Sequence, residues 1–197
     1  MQLGKIVRSN SHIDYVCQIF NPNDIPTPPI NEDYAFGTFV KIPLSSKKQL
    51  VGVIYDTVLF NPEFGRIGPC LSPESDLAVF TPDYLNEKVI LTGILTVGML
   101  DADNNIFQGV PRLSANTDAI VEKMTDTEIK QFHFGSPTLR LGYISLLLNH
   151  ASPLTAQLLQ KIINNLIDLF PDQNNLLSVL QNDLAWKVQI SPLGGTR

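Results

Sequence analysis

The chain has 197 residues, of which 44% are apolar and 17% charged, and its net charge is −5. The apolar share is sufficient for a core and the charge density is low, which excludes a disordered chain and favours an oligomer or a docking face. No cluster of cations larger than Lys47-Lys48 occurs, which argues against direct nucleic-acid binding, because Lys and Arg contacts to phosphate supply most of that affinity.

The first half of the chain is predicted to form strands. Five segments have the apolar, β-branched and aromatic content of strands: residues 3–9, 13–20, 36–43, 50–60 and 89–100. Four prolines make residues 21–29 a loop. The polar residues 45–48 form a hairpin turn between the third and fourth strands. Gly93 and Gly98 interrupt the last strand, and glycine inside a strand often marks a bulge or a barrel corner.

Residues 61–82 are rich in turn formers, and residues 77–80 within them have the pattern of a short strand. The second half of the chain is predicted to be helical. Thr125 and Glu128 have capping-box spacing, which predicts a short helix that ends before Gly135. Ser152, followed by proline, predicts the start of a longer helix that Pro171 ends. A further helix is predicted at residues 173–184. The expected fold is α+β, with a small β-barrel domain at residues 1–112 and a C-terminal α-helical region at residues 113–197.

Cysteine usage and the N-terminal segment indicate the compartment. Cys17 and Cys70 are too few for a disulfide framework in a chain of this size. The N-terminal residues include no apolar segment of signal-peptide length, and the uncharged stretch at residues 89–100 is shorter than the ~20 residues of a membrane span. A cytoplasmic protein with reduced thiols and no membrane association is expected.

Three strand segments begin with, or contain, a glycine within an apolar run: residues 4–7 (Gly-Lys-Ile-Val), 37–42 (Gly-Thr-Phe-Val-Lys-Ile) and 51–56 (Val-Gly-Val-Ile-Tyr-Asp). Together they resemble the HAS-barrel, the six-stranded barrel at the N-terminus of HerA-type hexameric DNA-translocating ATPases, which is also found in F-type ATP synthase subunits. The acidic helix at residues 125–129 and the Leu-Gly-Tyr-Ile segment at 141–144 are similar to the helix and strand that follow that barrel. The resemblance covers roughly the first three quarters of the chain and implies a HAS-barrel-like fold.

The resemblance does not extend to the motor domain. In the ATPases the Gly-Tyr strand leads into a nucleotide-binding domain, whereas here it leads to Ser152 and the following helix. The sequence contains no Gly-x-x-x-x-Gly-Lys-Ser/Thr loop that could cradle a triphosphate. The resemblance therefore implies a barrel without its ATPase, with no catalytic residue and no cofactor carried over.

The histidines give no metal or catalytic site. His12, His133 and His150 have no metal-ligand spacing with each other or with the cysteines. His133 stands between two phenylalanines and is predicted at a buried helix end, with an aromatic recognition cluster as the alternative. His150 is predicted at the end of an apolar helix or strand. The Asp-x-Asp start at residue 101 lacks the glycine and glutamate of a calcium loop, so a plain turn is expected.

The helix that starts near Ser152 is the candidate interaction element. Its polar side is mostly uncharged, whereas a solvated helix face usually carries more charge. Ordinary packing of the helix onto the barrel is the alternative interpretation. The residues assigned to the candidate interaction surface are Gln157, Leu158, Lys161, Ile162, Asn165 and Leu166.

These patterns predict a non-catalytic assembly or adaptor module that acts through protein–protein contacts. The expected partner is a separately encoded HerA-type ATPase or a second copy of the chain. Two alternatives stay open. One is a homo-oligomeric ligand-binding protein, and the other is a hydrolase whose site is assembled from scattered Asp and His residues.

Overall fold

The computed structural model describes residues 1–45, 48–61, 89–101, 105–134, 139–150 and 152–190. In chain order its strands are β1 (Gln2–Ser9), β2 (Asp14–Ile19), β3 (Phe39–Ser45), β4 (Lys48–Phe60), β5 (Val89–Asp101), β6 (Ile106–Gln108) and β7 (Ile120–Lys123). Its helices are α1 (Asp126–His133), α2 (Ile144–Leu148), α3 (Thr155–Leu169), a 3-10 turn (Pro171–Gln173) and α4 (Asn174–Ile190). The predicted strand at residues 77–80 and the predicted reduced thiol of Cys70 lie outside the described residues.

Six of the strands close into an antiparallel barrel in the order β1-β2-β5-β4-β3-β7, and β7 pairs back with β1. The short β6 pairs with the C-terminal part of β5, beyond the part that pairs with β2. Closure removes the free edges that an open sheet of this size would expose. The prediction of an N-terminal β-barrel followed by helices is confirmed.

The closing strand comes from beyond the predicted end of the barrel. β7 spans Ile120–Lys123, after residue 112, and lies between β1 and β3. Its four residues include the charged pair Glu122 and Lys123, so no alternation long enough to indicate a strand exists in the sequence. The barrel therefore uses a segment that the sequence assigned to the helical region.

The five predicted strands are all present, with ends that differ by a few residues. Residues 36–38 precede β3 instead of belonging to it, because Gly37 has a φ of +85° and the Thr38 N–H donates to the Ala35 carbonyl in a turn. The predicted hairpin joins β3 to β4, with Ser45 opposite Lys48.

The two glycines of β5 lie at bulges, as predicted. The register between β4 and β5 shifts once beside Gly98 and once beside Gly93. A Cβ atom on Gly98 would lie 2.2 Å from the Phe107 carbonyl oxygen and 2.8 Å from the Phe132 ring. Glycine is therefore required where β6 and α1 approach this strand most closely.

Strands β3, β4 and β5 are buried on both faces. Inward-facing side chains such as Val40, Leu50 and Ile94 fill the barrel. Outward-facing side chains such as Val51 and Leu95 form a second core beneath the helices. This double burial explains why the first half of β4 is almost continuously apolar instead of alternating.

The first helix begins as its sequence predicts. Thr125 is the N-cap of α1, its hydroxyl accepts from the Glu128 N–H at 3.3 Å, and the Glu128 carboxylate accepts from the Thr125 N–H at 2.9 Å. This capping box satisfies two backbone donors that the helix end would otherwise leave free. The predicted short helix is confirmed.

The later helices depart from the predictions at their ends. The Ser152 hydroxyl accepts from the Leu154 N–H at 3.2 Å in a turn, and α3 begins at Thr155 with Leu154 as its N-cap, so Ser152 is not the N-cap. Pro171 follows the end of α3 as predicted, and α4 continues to Ile190, past residue 184. Among the helices that the structure describes, none has the length and apolar character to cross a membrane.

The segment at residues 141–144 is not a strand. Tyr143 has a helical backbone (φ −81°, ψ −9°) and is the N-cap of α2. The preceding backbone is held by the Gln108 side chain, which accepts from the Gly142 N–H at 2.7 Å and donates to the Arg140 carbonyl at 3.0 Å. Side-chain hydrogen bonds thus replace strand pairing here, and this part of the predicted similarity to the ATPases is wrong.

Candidate functional site

The predicted interaction helix is anchored to the barrel by its apolar side. Leu158, Ile162 and Leu166 are buried in the core that covers the outer wall of β3, β4 and β5. They therefore act as packing residues and leave no surface for another molecule. The apolar side of α3 is therefore the side by which the helix covers the barrel.

The other predicted residues lie on the outer side of α3. Gln157 and Lys161 are exposed and Asn165 is half-buried. The stem of Lys161 lies against the turn before β3, since a Cβ atom on Gly37 would come within 2.7 Å of the Lys161 Cγ. Asn164 accepts a hydrogen bond from the Gln181 amide at 2.7 Å, which links α3 to α4. The structure thus brings three of the six residues together on the outer side of α3.

A cleft of about 300 Å³ opens beside Asn165, between α1, α3 and the strands β3 and β7. We call it the α1–α3 cleft. Its apolar floor consists of Phe39, Met124, Ile129 and Leu169. Its polar lining consists of Thr38, Lys123, Asp126, Asn165 and Asp168.

The cations of the barrel wall around this cleft are already paired. The Lys123 Nζ lies 3.0 Å from the Asp33 carboxylate, and this hydrogen bond holds the pKa of Asp33 below its ordinary value. Lys41 pairs with Glu128 and, at 3.6 Å, with Glu122. Burial alone would raise the pKa of Glu128, but the bonds from Lys41 and from the capping N–H outweigh it, so that pKa is lowered.

The two carboxylates that line the cleft have no such partners. Asp126 lies in the first turn of α1 and Asp168 in the last turn of α3, and both are exposed. Within the described parts of the chain neither side chain makes a hydrogen bond or an ion pair. The uncompensated charge at the α1–α3 cleft is therefore negative.

Behind the cleft, His133 and Tyr143 form a fully buried hydrogen-bonded pair. The His133 Nδ1 lies 2.8 Å from the Ile129 carbonyl oxygen, which can only accept, so Nδ1 carries the proton and Nε2 accepts from the Tyr143 hydroxyl at 2.7 Å. Burial lowers the pKa of His133 to about 4 and raises that of Tyr143. His133 is therefore neutral, and its predicted position at a buried helix end is confirmed.

A perturbed histidine in a pocket would favour the hydrolase alternative. The His133 side chain has no exposed surface and is not among the residues that line the α1–α3 cleft, so a substrate in that cleft would not contact it. His12 bonds through Nε2 to the Pro111 carbonyl at 2.7 Å. Across the described residues, no three His, Cys, Asp or Glu side chains converge in a way that could hold a metal ion.

A second cleft, of about 520 Å³, lies beside α2. We call it the α2 cleft. Its lining contains no Lys, Arg, Asp or Glu, and consists of Ile13, Gly109, Val110, Gly142, Ser145, Leu146, Asn149 and His150. His150 follows the C-cap of α2, as predicted, and its ring meets Tyr55 edge to face at 4.7 Å. Burial, and then the 2.9 Å hydrogen bond that Tyr55 donates to Asp14, raise the pKa of Tyr55.

Sequence reasoning missed both clefts. Asp126 lies between the two capping-box residues and Asp168 lies in the predicted long helix, but neither pattern places the two together. Their proximity depends on β7, whose four residues carry no strand signal.

Comparison with known proteins gives the chain a family but no function. No curated protein matches the sequence. A family model described as a domain of unknown function, DUF8166, matches residues 1–193. That range includes both the barrel and the helices, which agrees with the core that they share. The chain belongs to the DUF8166 family.

Proposed function

We propose that this protein is a non-catalytic assembly or adaptor module, and that its contact surface is the outer side of α3 together with the α1–α3 cleft. The observation that carries the proposal is the contrast between the two sides of α3. The inner side is fixed in the core, while Gln157, Gln160 and Asn164 on the outer side are exposed and uncharged. Interface cores are depleted of charge relative to other surfaces.

The rigidity of α3 favours the same function. Five of its side chains are buried: Leu158, Leu159, Ile162, Ile163 and Leu166. A surface that is already ordered loses little conformational entropy when it binds, so more of the contact energy remains as affinity. The exposed amides supply both donors and acceptors for hydrogen bonds across an interface.

The choice of partner rests on the resemblance to the HAS-barrel. The closed six-stranded ring is compatible with that resemblance. In HerA-type ATPases such barrels act in ring assembly and partner docking. A barrel without its own motor domain would do the same for a motor domain that is encoded separately. A HerA-type ATPase is therefore the first partner to test, with a second copy of the chain as the next. The net charge of −5 argues against direct nucleic-acid contact.

A pull-down from the native cell tests the contact surface. The variant Lys161→Glu with Asn165→Glu places charge on the outer side of α3, and it should lose a partner that the wild type retains. The control Lys48→Glu with Asn182→Glu makes the same charge changes at exposed positions outside α3, and it should retain that partner. Equal capture by all three proteins would reject the surface.

Light scattering on the purified chain separates this proposal from a homo-oligomeric ligand-binding protein. The α2 cleft favours that alternative, because its volume and largely apolar lining fall within the range of small-molecule sites. An adaptor should be monomeric or dimeric alone. The alternative should be a stable oligomer that binds neutral, partly apolar compounds and co-purifies with no ATPase.

A further inference from the structure

The α1–α3 cleft combines an apolar floor with two carboxylates that have no partner among the residues that the structure describes. Asp126 and Asp168 come from different helices and line the same 300 Å³ space. The cation that also lines it, Lys123, is held by Asp33 at 3.0 Å. Two further lysines of these helices are one and two helical turns away from the aspartates. Lys130 is four residues from Asp126 on α1, and Lys161 is seven residues, or ~10 Å along the axis, from Asp168 on α3.

The floor determines which kind of cation would fit. Phe39, Met124, Ile129 and Leu169 offer an apolar surface to whatever enters. A hydrated metal ion gains nothing from such a floor, and within the described residues no third carboxylate or histidine joins the two aspartates to complete a coordination shell. A long side chain with an aliphatic stem and a cationic end matches both parts, because the stem packs on apolar surface while the charge reaches the carboxylates.

We propose that the α1–α3 cleft receives one arginine side chain presented by a partner protein. This inference rests on the proposed adaptor function and names the chemistry that the partner must supply. Arginine fits better than lysine because its planar group can donate to two carboxylates on different helices at once. The cleft is at the lower end of the size range of binding pockets, so it accommodates one side chain, while the uncharged face of α3 contacts the backbone around it.

Titration of the full chain with N-acetyl-arginine methylamide tests the inference, with N-acetyl-citrulline methylamide as a neutral probe of the same shape. Backbone amide resonances of Thr38, Met124 and Asn165 should shift with the arginine probe and not with the citrulline probe. The apparent affinity should fall as salt is raised, because the carboxylates are exposed. Absence of shifts at the cleft, or equal shifts with both probes, would overturn the proposal.

Charge-removing variants identify the groups responsible. Asp126→Asn with Asp168→Asn should weaken binding of the arginine probe at least fivefold, while Asp172→Asn, an exposed carboxylate that does not line the cleft, should leave it unchanged. Amide spectra with wild-type dispersion establish that each variant is folded. Should the double variant lower the stability, the single Asp168→Asn variant carries the test, with a twofold or greater loss expected. Unchanged affinity in the folded variants would contradict the assignment.

Failure of this inference and failure of the adaptor proposal give different results. If the Lys161→Glu/Asn165→Glu variant loses its partner but the Asp126→Asn/Asp168→Asn variant retains it, the proposed contact surface on α3 is supported. The proposal that the cleft binds an arginine is then rejected. If the α3 variant retains every partner, the surface itself is rejected. The chain could also dimerise in a concentration-dependent way that Asp126→Asn/Asp168→Asn abolishes. A second copy of the chain would then supply the cation, and the proposal that a different protein supplies it would be overturned.

Discussion

Acidification should destabilise the fold through His133. The ring has no exposed surface, its Nδ1–H is bonded to the Ile129 carbonyl, and its Nε2 is occupied by the Tyr143 hydroxyl. A proton added at Nε2 would face the hydroxyl that now donates to it, inside a shell of aromatic rings that includes Phe39 and Phe132. The folded protein therefore resists a protonation that the unfolded chain accepts readily.

The magnitude follows from the two pKa values. Burial lowers the pKa of His133 from 6.5 to about 4. Above pH 6.5 the ring is neutral in both states and its full contribution to stability is present. As the pH falls, the unfolded state binds the proton first, so the free energy of unfolding should drop by about 2 kcal/mol at pH 5 and by about 3 kcal/mol near pH 4.

Urea unfolding followed by circular dichroism at pH 7.5, 6 and 5 measures this loss. His133→Gln should flatten the pH dependence over that range, and His12 and His150 remain in the variant as internal controls. The depressed pKa values of Asp33 and Glu128 contribute mainly below this window, since their stabilisation is present above their unfolded values of 3.8 and 4.5 and is lost as the pH falls from there through the lower folded values.

A second variant keeps the test decisive if His133→Gln folds poorly. Tyr143→Phe removes the donor to Nε2 and leaves the buried histidine in place. It should lower stability by about 1–3 kcal/mol at every pH while preserving the steep dependence. A wild-type free energy that is constant from pH 7.5 to 5, or a slope that survives in His133→Gln, would refute the reasoning.

Other predictions concern the barrel, the first helix and nucleic acid. Gly98→Ala should cost about 3 kcal/mol by denaturant unfolding because its Cβ meets a backbone oxygen, whereas Gly142→Ala, whose nearest neighbour would be 3.6 Å away, should cost far less. Thr125→Ala should cost about 1 kcal/mol through loss of the N-cap. In a Cys70→Ser background, Cys17 should react with a thiol reagent only on unfolding, because burial raises its pKa to about 12. Gel-shift assays with DNA should show no binding that salt weakens.

Long and strongly patterned elements could be predicted from the sequence. β4 and β5 have 13 residues each and contain a dense apolar stretch, and Thr125 with Glu128 specifies a helix start through hydrogen bonds between neighbours. In each case the information that decides the structure is local. The bulges at Gly93 and Gly98 were predictable for the same reason, because a glycine weakens a strand interior and is tolerated there mainly at bulges and tight bends.

Elements defined by distant partners could not be predicted. β6 and β7 have three and four residues, and they are strands because β5, β1 and β3 offer edges to them. The sequence around Tyr143 predicts a strand, yet Tyr143 lies at the start of a helix. Its side chain is buried against His133, and the Gln108 side chain is hydrogen-bonded to the neighbouring backbone. The α1–α3 cleft needs Thr38, Asp126 and Asn165 to meet, which no local pattern encodes.

The position of the closing strand has a consequence for synthesis on the ribosome. β1 emerges before the other described strands, but its partner β7 begins at Ile120. A nascent chain that has reached residue 112 therefore carries two open strand edges, those of β1 and β3. Open edges are the usual starting points of misassembly between chains. Since the outer wall of β3, β4 and β5 is covered by helices made later still, the ring and its cover should become stable together, late in translation, as one cooperative unit.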